Sequence, residues 1–136
     1  MFSDESLIRL KSNQGDYLTV NEKGFLIFAS KQLSNYNLWK LKKYDTYYTL
    51  QNMATTSYLH RSSTKDGVTT WVHLSNGVGN NWEFEGELMN NKSIQIKSWK
   101  SDYLNRGKEN IISTSNGDVG NKWTLIIESK YLNKIH

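Results

Sequence analysis

The chain has 136 residues and 15.8 kDa, the length of one domain, and its five Trp, eight Tyr and four Phe within a 37% hydrophobic composition suffice for a single core. Cys and Pro are both absent, which excludes disulfides, Cys-ligated zinc, iron–sulfur clusters and thiol nucleophiles. Seventeen Lys and Arg against thirteen Asp and Glu give a net charge of +4 spread along the chain, so acidic partners are permitted but not demanded.

In chain order, the first predicted element is Ile8-Arg9-Leu10-Lys11-Ser12, which alternates apolar and polar residues as a strand with one buried face does. The turn Gln14-Gly15-Asp16 leads to Tyr17-Leu18 at a hairpin spacing, a third strand follows Gly24 over residues 25–30, and Asn37-Leu38-Trp39-Lys40-Leu41 closes the unit. The same order returns. Tyr48-Thr49-Leu50-Gln51-Asn52, the turn Ala54-Thr55-Thr56-Ser57, Tyr58-Leu59, a strand over 68–75 behind Gly67, and Asn80-Asn81-Trp82-Glu83-Phe84 form a second unit. Ile94-Gln95-Ile96-Lys97-Ser98, the turn Lys100-Ser101-Asp102, Tyr103-Leu104, a strand over 110–114 behind Gly107, and Asn121-Lys122-Trp123-Thr124-Leu125 form a third. The closing Trp residues lie 43 and 41 positions apart.

Four strands in each of three imperfect repeats, about 7–46, 47–90 and 91–130, predict a single all-β domain of twelve strands over residues 1–136. One such unit cannot bury its apolar face alone, whereas three around an axis close a barrel and cap it, removing exposed edges. This is the arithmetic of a β-trefoil, and it assigns Leu18, Leu59, Leu104, Trp39, Trp82 and Trp123 to the core.

Over residues 8–126 the pattern resembles the β-trefoil superfamily, and the Asn-x-Trp endings resemble the Gln-x-Trp signature of ricin-B-type lectins. The Asn- and Lys-rich composition and three imperfect repeats also resemble the small sugar-binding haemagglutinin subunits that accompany clostridial toxins. The resemblance implies a shallow pocket per repeat, where an aromatic ring packs on a sugar face while a carboxylate and an amide hold its hydroxyls.

Carried over by position, the carboxylate after the Leu falls at Thr19, His60 and Asn105, none of them acidic, and the motif amide falls at Asn37 and Asn80. The aromatic platform, counted 11 residues back from each closing Trp, falls at Phe28, Trp71 and Ile112, so repeat three lacks one. In Thr70-Trp71-Val72-His73-Leu74 the alternation buries Val72 and Leu74 and turns Trp71 and His73 outward, where Trp71 either meets a ligand or covers a barrel end. The expected main pocket is therefore repeat two, with Trp71 as platform and His60, His73, Asn76 and Asn80 around it, and repeat one offers a second. Trp99, out of register with the repeats, is a further candidate contact, and Asp118 a candidate partner for a sugar hydroxyl.

His60 and His73 near Asp66 lack a third ligand, so no metal or cofactor is expected. No phosphate loop, His-Glu-x-x-His or Gly-x-Ser-x-Gly is present, so the expected function is non-catalytic glycan binding. An actin- or protein-binding trefoil of fascin-like type is the alternative, because residues 11–19 followed by Gly24 also resemble its repeats. Lys40, Lys42 and Lys43 form the densest basic cluster, readable as a heparin or nucleic-acid contact or as a solvated face; specific nucleic-acid recognition is not expected. No apolar stretch approaches a membrane-spanning length of about 18 residues. The acidic start gives the expectation of a cytoplasmic protein, or one exported without a classical signal peptide, with glycoconjugate partners and a possible homo-oligomer or toxin complex.

Overall fold

Twelve strands make up the described part of the chain, in a computed structural model that describes residues 5–24, 26–63, 68–71, 77–109, 111–116 and 119–130. The first repeat contributes β1 (Glu5–Ser12), β2 (Tyr17–Val20), β3 (Ile27–Ser30) and β4 (Trp39–Tyr44). The second contributes β5 (Tyr47–Asn52), β6 (Tyr58–Arg61), β7 (Val68–Trp71) and β8 (Trp82–Glu85), and the third β9 (Ser93–Ser98), β10 (Tyr103–Arg106), β11 (Ile112–Ser115) and β12 (Trp123–Lys130). In the third strands, β3 begins at Ile27 and β11 at Ile112, and Phe25, Asn110 and residues 72–75 of the expected strands lie outside the described residues.

The pairing closes on itself. β1 pairs with β12 and β4, β4 with β5, β5 with β8, β8 with β9, and β9 with β12, all antiparallel, so six strands form a ring without a free edge. The other six form the hairpins β2–β3, β6–β7 and β10–β11, each packed against the other two through β3, β7 and β11. A six-stranded barrel joined to a triplet of hairpins is a β-trefoil, the fold the repeats imply.

Alternation along the strands sends Ile8, Leu10, Leu41, Leu50, Ile94, Ile96 and Leu125 into the barrel, where each is at most 1% exposed. Trp39, Trp82 and Trp123 are fully buried with them. A buried indole needs an acceptor for its N–H, and each finds the same one: Nε1 donates to the carbonyl of Leu18, Leu59 or Leu104, at 3.0 Å in all three repeats. The motif Trp thus fastens the barrel strand that it opens to the hairpin strand of its own repeat.

Ion pairs fasten one repeat to the next. Arg61 of repeat two grips Asp102 of repeat three, with Nη2 at 2.6 Å from Oδ2 and Nε also donating to the carboxylate. Arg106 of repeat three grips Asp16 of repeat one in the same forked way, also at 2.6 Å, with both side chains about 95% buried. Ser12 and Ser98 each donate a hydroxyl to the aspartate four residues on. At the third seam, between repeats one and two, the corresponding positions hold Val20 and Ser57, both buried and uncharged.

Burial raises the Asp16 and Asp102 carboxyl groups, but the hydrogen bonds from arginine and serine and the arginine charge outweigh it, holding both below the ordinary carboxylate value. With the folded pKa below the unfolded value of about 4, this stabilisation is complete above that pH and is lost as pH falls through the folded value. The urea midpoint is therefore expected to fall as pH drops below about 4, and Asp16→Asn to lower the midpoint at neutral pH while flattening the acid limb. An acid limb as steep in the variant as in the parent would contradict this assignment.

Candidate functional site

The register of the hairpins decides which residues are equivalent between repeats. Thr19 pairs with Phe28 in β2–β3, His60 with Thr69 in β6–β7, and Asn105 with Ser113 in β10–β11. Counting back a fixed 11 residues from the Trp therefore misaligns the platform, because the segment between the third strand and the Trp differs in length between repeats. Trp71 stands opposite Tyr58, the place of Ser30 and Ser115, and Ile112 stands opposite Arg106, 7% exposed in the core. The Trp71 side chain, and His73, Asn76, Asp66 and Asp118 altogether, lie outside the described residues.

In repeats one and two the residue after the hairpin Leu is hydrogen-bonded to the motif Asn. Asn37, fully buried, donates from Nδ2 to Thr19 Oγ1 at 3.4 Å, and Asn80, fully buried, meets His60 Nδ1 through Oδ1 at 2.8 Å. In repeat three, Asn105 Oδ1 and Asn121 Nδ2 occupy these places, both buried and neither hydrogen-bonded among the described residues. Asn37 and Asn80 thus sit beneath the surface, bracing the short 3-10 turns Asn35–Asn37 and Val78–Asn80 against the hairpins, while Asn105 lies buried beside the third turn, Val119–Asn121.

Those turns pack closely. A Cβ at Gly79 would lie 2.3 Å from His60 Cε1 and 2.7 Å from the Arg61 carbonyl oxygen, and one at Gly120 would lie 2.3 Å from the Arg106 carbonyl oxygen. In repeat one the corresponding residue is Tyr36, whose side chain instead borders an open groove of about 750 Å³.

That groove belongs wholly to repeat one. Its floor carries Phe28 beside Thr19, and Leu26, 59% exposed, extends the apolar rim. One wall is the β2–β3 turn with Glu22 and Lys23, held by Asn21, whose Oδ1 accepts from the amides of Gly24 at 3.0 Å and Leu26 at 3.3 Å. Gly24 has φ of 84°, the left-handed geometry the turn needs.

The other wall is the loop with Gln32, Ser34 and Tyr36, which Asn37 fastens: Nδ2 donates to the Gln32 carbonyl at 2.7 Å, and Oδ1 accepts from the Ser34 amide at 3.2 Å. Arg9, ion-paired with Glu128, donates from Nε to Asn37 Oδ1 at 3.0 Å and from Nη2 to the Ser34 carbonyl. Asn37 is thus a positioning residue for the wall. Of the residues expected at the site, the structure brings Thr19, Phe28 and Asn37 together here, and sequence position alone does not reveal Glu22, Gln32 or Tyr36. The carboxylate absent at Thr19 stands three residues further on.

No protein-family model and no curated protein matches the sequence. Solved structures do match. The chain is similar to the Macrolepiota procera ricin B-like lectin in complex with lactose, at 12% identity and a TM-score of 0.74 over 93% of this chain and 98% of that one. It is similar to SeviL bound to asialo-GM1 saccharide, at 14% identity and 0.72 over 89% and 96%, and to the designed three-fold symmetric protein ThreeFoil, at 18% and 0.73 over 88% and 97%. At these identities the likeness establishes the β-trefoil fold.

The close approach of the 3-10 turns is testable by itself. Gly120→Ala is expected to lower unfolding free energy by about 1–3 kcal/mol, because backbone must move to admit the methyl group. Gly77→Ala, with nothing within 4 Å, is expected to be near neutral in the same urea titration. Equal effects of the two substitutions would contradict the packing described.

Proposed function

We propose that the protein binds carbohydrate without catalysis, holding a neutral pyranose in the repeat-one groove. The observation that carries the reading is the lining of that groove: the Phe28 and Tyr36 rings, the Glu22 carboxylate and the Gln32 amide converge on one shallow, solvent-open surface. A pyranose presents C–H groups on one face and hydroxyls around its rim, so an aromatic surface takes the face while carboxylate and amide take the rim. Glu22 accepts from two hydroxyls at once, Gln32 both donates and accepts, and Lys23 donates. Two of the similar structures hold a saccharide, lactose in one and the asialo-GM1 saccharide in the other, which supports the same class of ligand.

A second pocket in repeat two, built on Trp71 with His60, His73 and Asn76, is part of the proposal. Shallow sites of this kind bind weakly one at a time, so useful affinity comes from several engaged together on a multivalent glycoconjugate.

The test is capture of the protein by neoglycoproteins carrying galactose, N-acetylgalactosamine, glucose, N-acetylglucosamine or mannose, followed by biolayer interferometry. At least one is expected to bind, and Phe28→Ala and Glu22→Gln are each expected to weaken it about tenfold or more with unchanged urea midpoints. Full retention in both variants would remove the repeat-one groove from the account, and no capture by any neutral sugar would remove the carbohydrate reading.

A further inference from the structure

The repeats share their frame, so a feature that one turn carries and its two counterparts lack is not needed for the fold. The turn between β9 and β10 is such a place. Trp99 stands there, at the position of Asn13 in repeat one and Met53 in repeat two, and it is 39% exposed.

Its ring is nevertheless fixed. Nε1 donates to the Arg61 carbonyl at 2.7 Å, and Lys100 Nζ sits 5.3 Å from the ring centroid, covering one face. The turn beneath it is closed by Ser98 N to Asp102 O at 2.8 Å and Ser101 N to Ser98 O at 3.0 Å, with Ser101 at φ of 69°. Asp102 is the residue that Arg61 grips across the seam, so the ion pair between repeats two and three also anchors the platform.

This indole borders a second concavity, of about 430 Å³, between the β4–β5 turn, β8 and the β9–β10 turn. Tyr47 faces it from the β4–β5 turn, held by a tilted contact with Tyr44 at 5.4 Å between ring centroids. Asn81 brings an amide, Glu83 an exposed carboxylate, and Thr46 and Ser101 add hydroxyls; none of the described lining residues is cationic. Lys97, the cross-strand neighbour of Glu83, stands beside the cleft.

We infer that the Tyr47–Trp99 cleft is a further saccharide site, outside the repeat-equivalent pockets, and that it takes a neutral pyranose. The ligand class rests on the carbohydrate reading above, and the site rests on its own geometry. Two fixed aromatic side chains supply apolar surface, while a carboxylate, an amide and two hydroxyls supply donors and acceptors around it. Two rings and a carboxylate also suit a quaternary ammonium ion, but that ligand would leave the amide and hydroxyls without a role. An acidic sugar would meet Glu83 with like charge. Because Asn13 and Met53 stand where this turn has Trp99, the cleft has no Trp-bearing counterpart in the other repeats, and it gives the protein a way to engage a second residue of a branched or clustered glycan.

The test is a titration followed by amide and indole NMR signals on the whole chain labelled with 15N, with the Trp99 indole assigned through Trp99→Phe. Methyl glycosides of galactose, glucose, mannose and N-acetylglucosamine, and choline chloride as the cationic probe, are each added to about 100 mM, where millimolar sites saturate. At least one glycoside is expected to move the Trp99 indole and the Ser101 amide saturably, and Glu83→Gln to weaken that response about fivefold or more. Movement around Glu22 and Phe28 with Trp99 and Ser101 still would overturn this cleft and leave the carbohydrate reading intact. Stillness of every amide and indole signal with all the glycosides would overturn both. A response of Trp99 to choline alone, or an undiminished glycoside response in Glu83→Gln, would also overturn the inference.

Discussion

In each repeat a barrel strand opens with a Trp whose indole N–H reaches the carbonyl of a hairpin Leu, and the same 3.0 Å bond occurs three times. Its geometry sets what can follow. The Leu carbonyl is engaged by the Trp, and in repeats one and two the next residue along the hairpin strand is hydrogen-bonded to the Asn two places before that Trp. In those two repeats Asn-x-Trp therefore holds two successive positions of the hairpin, one through backbone and one through side chain. Removing the indole leaves a buried carbonyl without its donor and a large void in the barrel, so the hairpins, and every groove that they border, depend on this contact.

Within that frame the repeats diverge where side chains reach solvent or a neighbouring repeat. The residue before the motif Asn is glycine in repeats two and three, where the 3-10 turn presses on the hairpin, and Tyr36 in repeat one, where the ring borders the groove. The β9–β10 turn carries Trp99 where its counterparts have Asn13 and Met53. The seams diverge too: arginine–aspartate pairs join repeat two to three and repeat three to one, while Val20 and Ser57 occupy the third. A pseudo-symmetric scaffold thus carries an asymmetric surface, with concavities of different composition at repeat one and at the seam between two and three.

The fold was legible in the sequence because it rests on periodicity and spacing. Alternating strands, Tyr-Leu pairs and recurring Trp residues are local signals, and three copies reinforce one another. The site was less legible because it depends on turn length. Phe28 is recognisable as an aromatic on the third strand, but its partners Glu22, Gln32 and Tyr36 come from loops whose path is set by hydrogen bonds of Asn21 and Asn37. Equal counting from the Trp placed Trp71 and Ile112 as its equivalents, whereas strand register gives Thr69 and Ser113, since the intervening loops differ in length. Asn37 and Asn80 look like ligand-binding amides in sequence and are buried braces in the fold. The Arg61–Asp102 and Arg106–Asp16 pairs, 41 and 90 residues apart, have no local signature.

In the function proposed above, exposed aromatic, carboxylate and amide groups recognise neutral glycans, and the excess positive charge is a solvated surface. A glycan array probed with the whole protein at low and high salt tests this most directly, since phosphate or sulfate contacts release counterions and weaken steeply with salt while neutral-sugar contacts do not. Binding to a family of neutral glycans that changes little between the two salt concentrations is expected. Binding confined to sulfated glycans and lost at high salt, or an array without any bound glycan, would contradict it, the first moving function to the Lys40, Lys42 and Lys43 cluster and the second to a protein-binding trefoil.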